Sequence, residues 1–270
     1  MELDLVANVA ERERTLGRMI AYFRAAAGTK GIFLAGSLAA GTADAYSDID
    51  FRVVIAPEEY AARLAERAQA AAEWGSLLFV QAPAGSVHSV AHFRPFFKVD
   101  TFYYHPNQLR PSPWYTLPTA ILYDPEGLVS DLVERSQGLR FTPDAEMVER
   151  SIEFGLAAAH EVLRRANRGE IGYALAILEE LRRAVIDAGD FLKERPWYGF
   201  SHLESRVDPT LLAAIQASYC LPDPEAIRRS LAGLVEGYAE QIRSLHQNFG
   251  LARELETDLE CIRLVTTGGH

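Results

Sequence analysis

The chain has 270 residues, 49% of them hydrophobic and 24% charged, with a formal net charge of −10; this excludes disorder as its main theme and fits one large or two modest domains. No apolar run approaches the roughly 18 to 20 residues of a membrane span, and the start Met1-Glu2-Leu3-Asp4 has no signal-like basic and apolar regions, so a cytoplasmic protein without membrane contact is expected. Two cysteines, Cys220 and Cys261, are too few for a disulfide framework and have no metal-ligand spacing, while the acidic balance disfavours nucleic acid as a partner.

Helical spacing of Leu5, Val9, Leu16, Ile20 and Phe23 predicts a first helix over about Leu3 to Ala27, stopped at Gly28. The period then changes. Gly31 to Ala35 is a short apolar run opening into Gly36-Ser37, and Ile49 to Ala56 is a second, with small and polar residues between them. Pro57-Glu58-Glu59 puts a proline and two acids in a first helical turn, predicting a helix to about Trp74. Strands are expected at Leu77 to Ala82, Val87 to Phe93 and Phe96 to His105, then an irregular excursion over Pro106 to Pro118. A strand at Ala120 to Tyr123 and a short helix from Asp124-Pro125-Glu126-Gly127 to about Arg135 complete this half. After Phe141-Thr142-Pro143 the chain reads as helices: Ala145 to Arg168, Ile171 to Phe191, Pro209 to Tyr219 and one run from Glu225 to about Val265, before a loose tail at Thr266 to His270. Two domains follow, residues 1–140 mixing strands and helices and residues 141–270 helical. The second holds 21 acidic against 14 basic residues, a field suited to a cationic small molecule.

The stretch that carries chemistry is Gly36-Ser37-Leu-Ala-Ala-Gly41-Thr42-Ala-Asp44-Ala-Tyr46-Ser47-Asp48-Ile49-Asp50-Phe51. On a strand, the period of two puts Asp48 and Asp50 on one face and Ile49, Phe51 and Val53 on the other. Two adjacent carboxylates repel unless a cation neutralises them, and oxygen ligands of this kind suit Mg²⁺ on the phosphates of a nucleotide. The small-residue turn at Gly36-Ser37 lets backbone N–H groups and a hydroxyl approach phosphate oxygens.

These residues resemble the nucleotidyltransferase superfamily that includes polymerase β, whose minimal members carry a Gly-Ser, a spacer of about ten residues and an acid-hydrophobic-acid triplet. The whole chain is similar to the antibiotic nucleotidyltransferases, particularly the lincosamide and aminoglycoside enzymes. The resemblance implies an α+β fold, a polymerase β-like domain with a mixed sheet flanked by helices, followed by an all-helical bundle that binds substrate. It also implies transfer of a nucleoside monophosphate, usually AMP from ATP, to a hydroxyl with loss of pyrophosphate, and hence antibiotic resistance as a role. The family requires a third acid on a neighbouring strand, and Asp100 within Phe97-Lys98-Val99-Asp100-Thr101-Phe102 is the candidate, as metal ligand or as acceptor of the hydroxyl proton. Metal binding and catalysis thus fall to Asp48, Asp50 and Asp100. Nucleotide binding falls to Gly36, Ser37, Asp48, Asp50 and Lys98, the last sharing the facing parity of Asp100. The acceptor is expected between the domains, and a homodimer is the family-based expectation. Alternatives are a nucleotidyltransferase that modifies a partner protein, and a nucleotide-binding protein of this fold without turnover.

Other residues are less marked. His88 and His92 read as ordinary polar strand positions, Asp44 as a turn cap, and Arg52 as a counter-charge on the face of Asp48 and Asp50. Tyr103, Tyr104, Trp114 and Tyr115 suit stacking or packing. Glu179, Glu180, Glu161 and His160 are eligible by type to face the acceptor, but spacing singles out none of them.

Overall fold

In the computed structural model, which describes residues 4–267, the chain opens with helix α1 (Leu5–Ala25), capped by the Asp4 carboxylate on the Ala7 N–H (3.0 Å). The expected start at Leu3 lies outside the described residues. The buried face of α1 keeps only Phe23 of the apolar row expected from the sequence. It comprises Asn8, Arg12, Thr15, Met19 and Phe23, while Leu5, Val9, Leu16 and Ile20 are only partly covered. Asn8 and Arg12 turn inward because they find backbone carbonyls there, as described below.

Six strands form one mixed sheet in the order β3-β4-β5-β2-β1-β6. They are β1 (Thr29–Leu34), β2 (Ile49–Ile55), β3 (Leu77–Gln81), β4 (His88–Phe93), β5 (Phe97–Tyr104) and β6 (Ala120–Tyr123). Only β2 and β5 run parallel, joined by helix α3 (Pro57–Ala70), a 3₁₀ turn and the β3–β4 hairpin; the other pairs are antiparallel. A short helix absent from the sequence reading, α2 (Gly36–Ala40), lies between β1 and β2. Alternation divides the two faces. Ile49, Phe51, Val53, Val99 and Tyr103 join Met19 and Phe23 of α1 and Trp74 beyond α3 in the main core. The opposite face carries Asp50, Arg52, Lys98, Asp100 and Phe102, and its buried apolar cluster is Phe33 and Val54 against Val129 of helix α4 (Leu128–Ser136). That cover leaves the other end of the face to polar residues.

The chain divides between Leu139 and Arg140 into two compact units, the second wholly helical. Helices α5 (Ala145–Asn167), α6 (Ile171–Leu192) and α9 (Pro224–Phe249) share one core with the shorter α7 (Leu203–Arg206), α8 (Pro209–Ala217) and α10 (Leu255–Thr266). Asp144, Asp208 and Asp223 cap α5, α8 and α9 through backbone N–H groups. The run expected as one helix from Glu225 is two. Gly250 ends α9 in the left-handed region (φ 58°), where a side chain is strained, and the chain restarts at Leu255. The new helix is held by buried Asp258, which takes His246 Nε2 (2.9 Å) and Arg253 Nη2 (2.5 Å). Of the expected tail, Thr266 and Thr267 end and cap α10, and residues 268–270 lie outside the described residues. Among the described residues no helix is long and apolar enough to cross a membrane.

Candidate active site

The site begins where β1 ends. Ala35 N–H donates to the Asp50 carbonyl (3.1 Å), closing the strand pair, and Gly36 turns the chain at φ 65°. A β-carbon on Gly36 would stand 2.0 Å from Asp50 Oδ2, so a glycine is required both by conformation and by the carboxylate pressed against it. Ser37 follows, half-buried in the first turn of α2, with Gly41 ending that helix in the left-handed region.

The loop from Thr42 to Ser47 is shaped from two sides. Asp44 takes the Ser47 hydroxyl (2.8 Å) and the Tyr46 N–H (2.9 Å), and these bonds, the hydroxyl's first, hold its carboxyl below the usual range. From α1, Arg12 Nη1 donates to the carbonyls of Asp44 (2.6 Å) and Ser47 (2.9 Å), and Asn8 Nδ2 to that of Ala45 (3.1 Å). The residue before Asp48 is thus anchored to the opening helix. Asn8 and Arg12 were missed by the sequence reading. Their signal was polar residues at i and i+4 in line with Thr15, Met19 and Phe23.

Asp50 is paired in register with Asp100 across the parallel β2–β5 ladder, where neighbouring strands lie about 5 Å apart. Lys98 stands one step back on β5 and reaches across: its ammonium bonds Asp48 Oδ2 (2.6 Å) and also Asp100 Oδ2. The other oxygen of Asp100, Oδ1, meets His88 Nε2 from β4 (3.2 Å). The imidazole stacks on Phe102, its cross-strand partner (centroids 4.2 Å apart, 20° between planes), and the Arg52 guanidinium lies 4.8 Å from the same ring on the β2 side. His88 therefore touches the acid cluster, whereas His92 stacks on Phe79 (4.2 Å).

Burial first, then the charges of Asp48 and Asp100, pushes the Asp50 carboxyl above its ordinary value, against the pull of Arg52 and Lys98. Among the described residues no cation forms a salt bridge with Asp50. Burial alone would lower the Lys98 ammonium, but the bonds to Asp100 and Asp48 outweigh it and hold the group above its usual value.

The donor set fits a hard divalent cation in kind: three carboxylates on one face, in excess of the charge around them. Asp48 and Asp100 already share one cation, the Lys98 ammonium, and among the described residues no group of three or more His, Cys, Asp or Glu side chains converges as a ready-made metal site.

The remaining candidates are placed elsewhere. Tyr103 is in the main core, and Tyr104 and Tyr115 pack around Phe33 and Val54. In the helical unit, Glu161 is paired with Arg164 and Arg165, Glu179 takes Arg182 Nη1 and the Tyr219 hydroxyl, and Glu180 and His160 are exposed.

Residues 16–83, from α1 through β3, match the family model of the nucleotidyltransferase domain, a span that includes Gly36-Ser37, Asp48 and Asp50 but ends before Asp100. The matched residues lie in a unit whose mixed sheet is flanked by helices, followed in the chain by a helical bundle. Two solved structures are similar at low identity. An aminoglycoside 6-adenyltransferase from Bacillus subtilis is 11% identical, with 96% of this chain and 98% of that one covered and a TM-score of 0.45. A nucleotidyltransferase-like protein from Exiguobacterium sibiricum is 13% identical, with 87% and 77% covered and a TM-score of 0.44. Similarity at this level speaks for no particular acceptor. No curated protein matches the chain.

Proposed function

We propose that this protein is a Mg²⁺-dependent nucleotidyltransferase that moves a nucleoside monophosphate, AMP from ATP in the first instance, onto a hydroxyl of a small cationic acceptor such as an aminoglycoside or lincosamide. The observation that carries the reading is the pairing of Asp50 with Asp100 across β2 and β5, with Asp48 on the same face and the Gly36-Ser37 turn against Asp50.

Asp48, Asp50 and Asp100 are the residues that would hold the metal, which when bound neutralises triphosphate charge. The Gly36-Ser37 turn offers backbone N–H groups and the Ser37 hydroxyl to phosphate oxygens, with no side chain at position 36 to obstruct them. Lys98 adds a positive charge from β5. Asp100, steadied through Oδ1 by His88, takes the proton of the acceptor hydroxyl. The acceptor oxygen then bonds to the α-phosphorus while the bond from that phosphorus to the bridging oxygen breaks, and pyrophosphate leaves with the electron pair. Positioning and electrostatics supply most of the rate. The acidic helical unit attracts the cationic acceptor.

Incubating the protein with Mg-ATP and a panel of aminoglycosides and lincosamides, and measuring pyrophosphate, tests the reading. Acceptor-dependent release is expected with at least one compound, and Asp50→Asn should reduce it by about a thousandfold or more in a folded protein. Undiminished turnover by that variant would refute the assignment.

A further inference from the structure

The two salt bridges of Lys98 raise a question of charge. Its ammonium holds Asp48 Oδ2 at 2.6 Å and bonds Asp100 Oδ2 as well, while Asp100 Oδ1 is engaged by His88. Both oxygens of Asp100 are therefore taken, and a divalent ion seeking the three carboxylates must compete for atoms that already carry a cation. Ammonium and metal compete at those oxygens, because two positive centres a few ångströms apart repel. Free metal would have to drive the ammonium into water with both its ion pairs lost. A metal–triphosphate complex brings replacement anions with it, so the ammonium can leave the carboxylates for phosphate oxygens on the same face.

The residue type fits an exchange of this kind. The chain has only three lysines, Lys30, Lys98 and Lys193, among 27 basic residues. A compact charge on a four-carbon stem swings between partners more readily than a planar guanidinium, and the Lys98 side chain is 42% exposed, which leaves it room to move.

Resting on the nucleotidyltransferase reading, we propose that Lys98 is a resident counter-ion that reserves the acid cluster for metal–nucleotide complexes and selects them over free metal. Without nucleotide it occupies the carboxylates; with nucleotide it binds the triphosphate, and the carboxylates become free for the metal that arrives with it. Lys98 is then a specificity-determining residue for the form in which the metal enters.

The test is Mn²⁺ binding to the full chain, followed by electron paramagnetic resonance, with Mn²⁺ alone and with Mn²⁺ plus α,β-methylene-ATP. Wild type is compared with Lys98→Met and Lys98→Gln, each checked for folding by circular dichroism, so that either variant carries the comparison if the other misfolds. The two affinities should move in opposite directions: free Mn²⁺ binds about tenfold tighter to the variants, and the Mn²⁺–analogue complex about tenfold weaker. Unchanged or weaker binding of free Mn²⁺, or a shift of both affinities in one direction, overturns the role of Lys98; if wild type still binds the complex, the nucleotidyltransferase reading stands. Wild type that binds no Mn²⁺–analogue complex overturns both.

Discussion

Asp50 is a half-buried carboxylate beside two others, and no cation forms a salt bridge with it among the described residues. Burial and like charge make it hold its proton more tightly in the folded chain than in the unfolded one. Stability from this group is therefore fully present at low pH and is lost as pH rises through its raised value. Asp50→Asn, which removes the charge and keeps the shape, should abolish pyrophosphate release and at the same time raise the melting temperature at pH 7, measured by calorimetry. A site that is costly to fold and needed for turnover has this signature. Gly36→Ala works on the same contact from the other side. The added methyl meets Asp50 Oδ2 at 2.0 Å on a backbone at φ 65°, so a loss of about 1–3 kcal/mol in urea unfolding is expected, with turnover reduced more than a hundredfold as the carboxylate is displaced.

Elements explain why the acids hold their places. Helix α1 contributes apolar Met19 and Phe23 to the core at one end and Arg12 and Asn8 to loop carbonyls at the other, joining the start of the chain to the residues before Asp48. Arg12→Met keeps much of the volume and leaves the Asp44 and Ser47 carbonyls without that donor. A destabilisation of about 1–3 kcal/mol is expected, together with faster amide hydrogen exchange in residues 43–48 measured by mass spectrometry. Unchanged exchange there would remove the helix from the account of the site. Much of this was open to sequence reading: the β2 alternation, the Gly36-Ser37 turn and the helix opening at Pro57 are local patterns, each set by residues within a few positions. The inward polar row of α1 was not, because an apolar row of equal length competes with it and only the loop carbonyls decide between them. The break at Gly250 was similarly hidden. Glycine is tolerated inside helices, and what commits it to a left-handed stop is Asp258 taking His246 and Arg253 after the chain restarts.

Across the whole molecule, two units with separate cores share one chain, and stability is tuned by acids in both. In the helical unit Asp187, on α6, has Oδ1 buried without a hydrogen-bond partner, and burial pushes its carboxyl up from 3.8 to about 6 despite Arg183. The folded chain therefore binds a proton that the unfolded chain has already released between those values, and stability falls as pH rises across that window, levelling off above it. Asp187→Asn should flatten this fall and stabilise the protein at pH 7 by about 1–3 kcal/mol, read from urea unfolding at pH 4, 5, 6 and 7. A variant whose pH dependence matches wild type would show that the carboxyl titrates normally.

The amino-acid order by itself determined the strand and helix periods, the class of the fold and the local motif in which two aspartates alternate with apolar residues behind a Gly-Ser turn. These depend on short-range sterics and on which side of a strand or helix is apolar. Only the tertiary structure decided that Asp100 lies in register with Asp50, that Lys98 spans Asp48 and Asp100, and that His88 meets the far oxygen of Asp100. Those contacts join strands 40 and more residues apart along the chain, or cross a hairpin whose register is set by packing on the opposite face of the sheet, and no local pattern encodes which charges will face one another there.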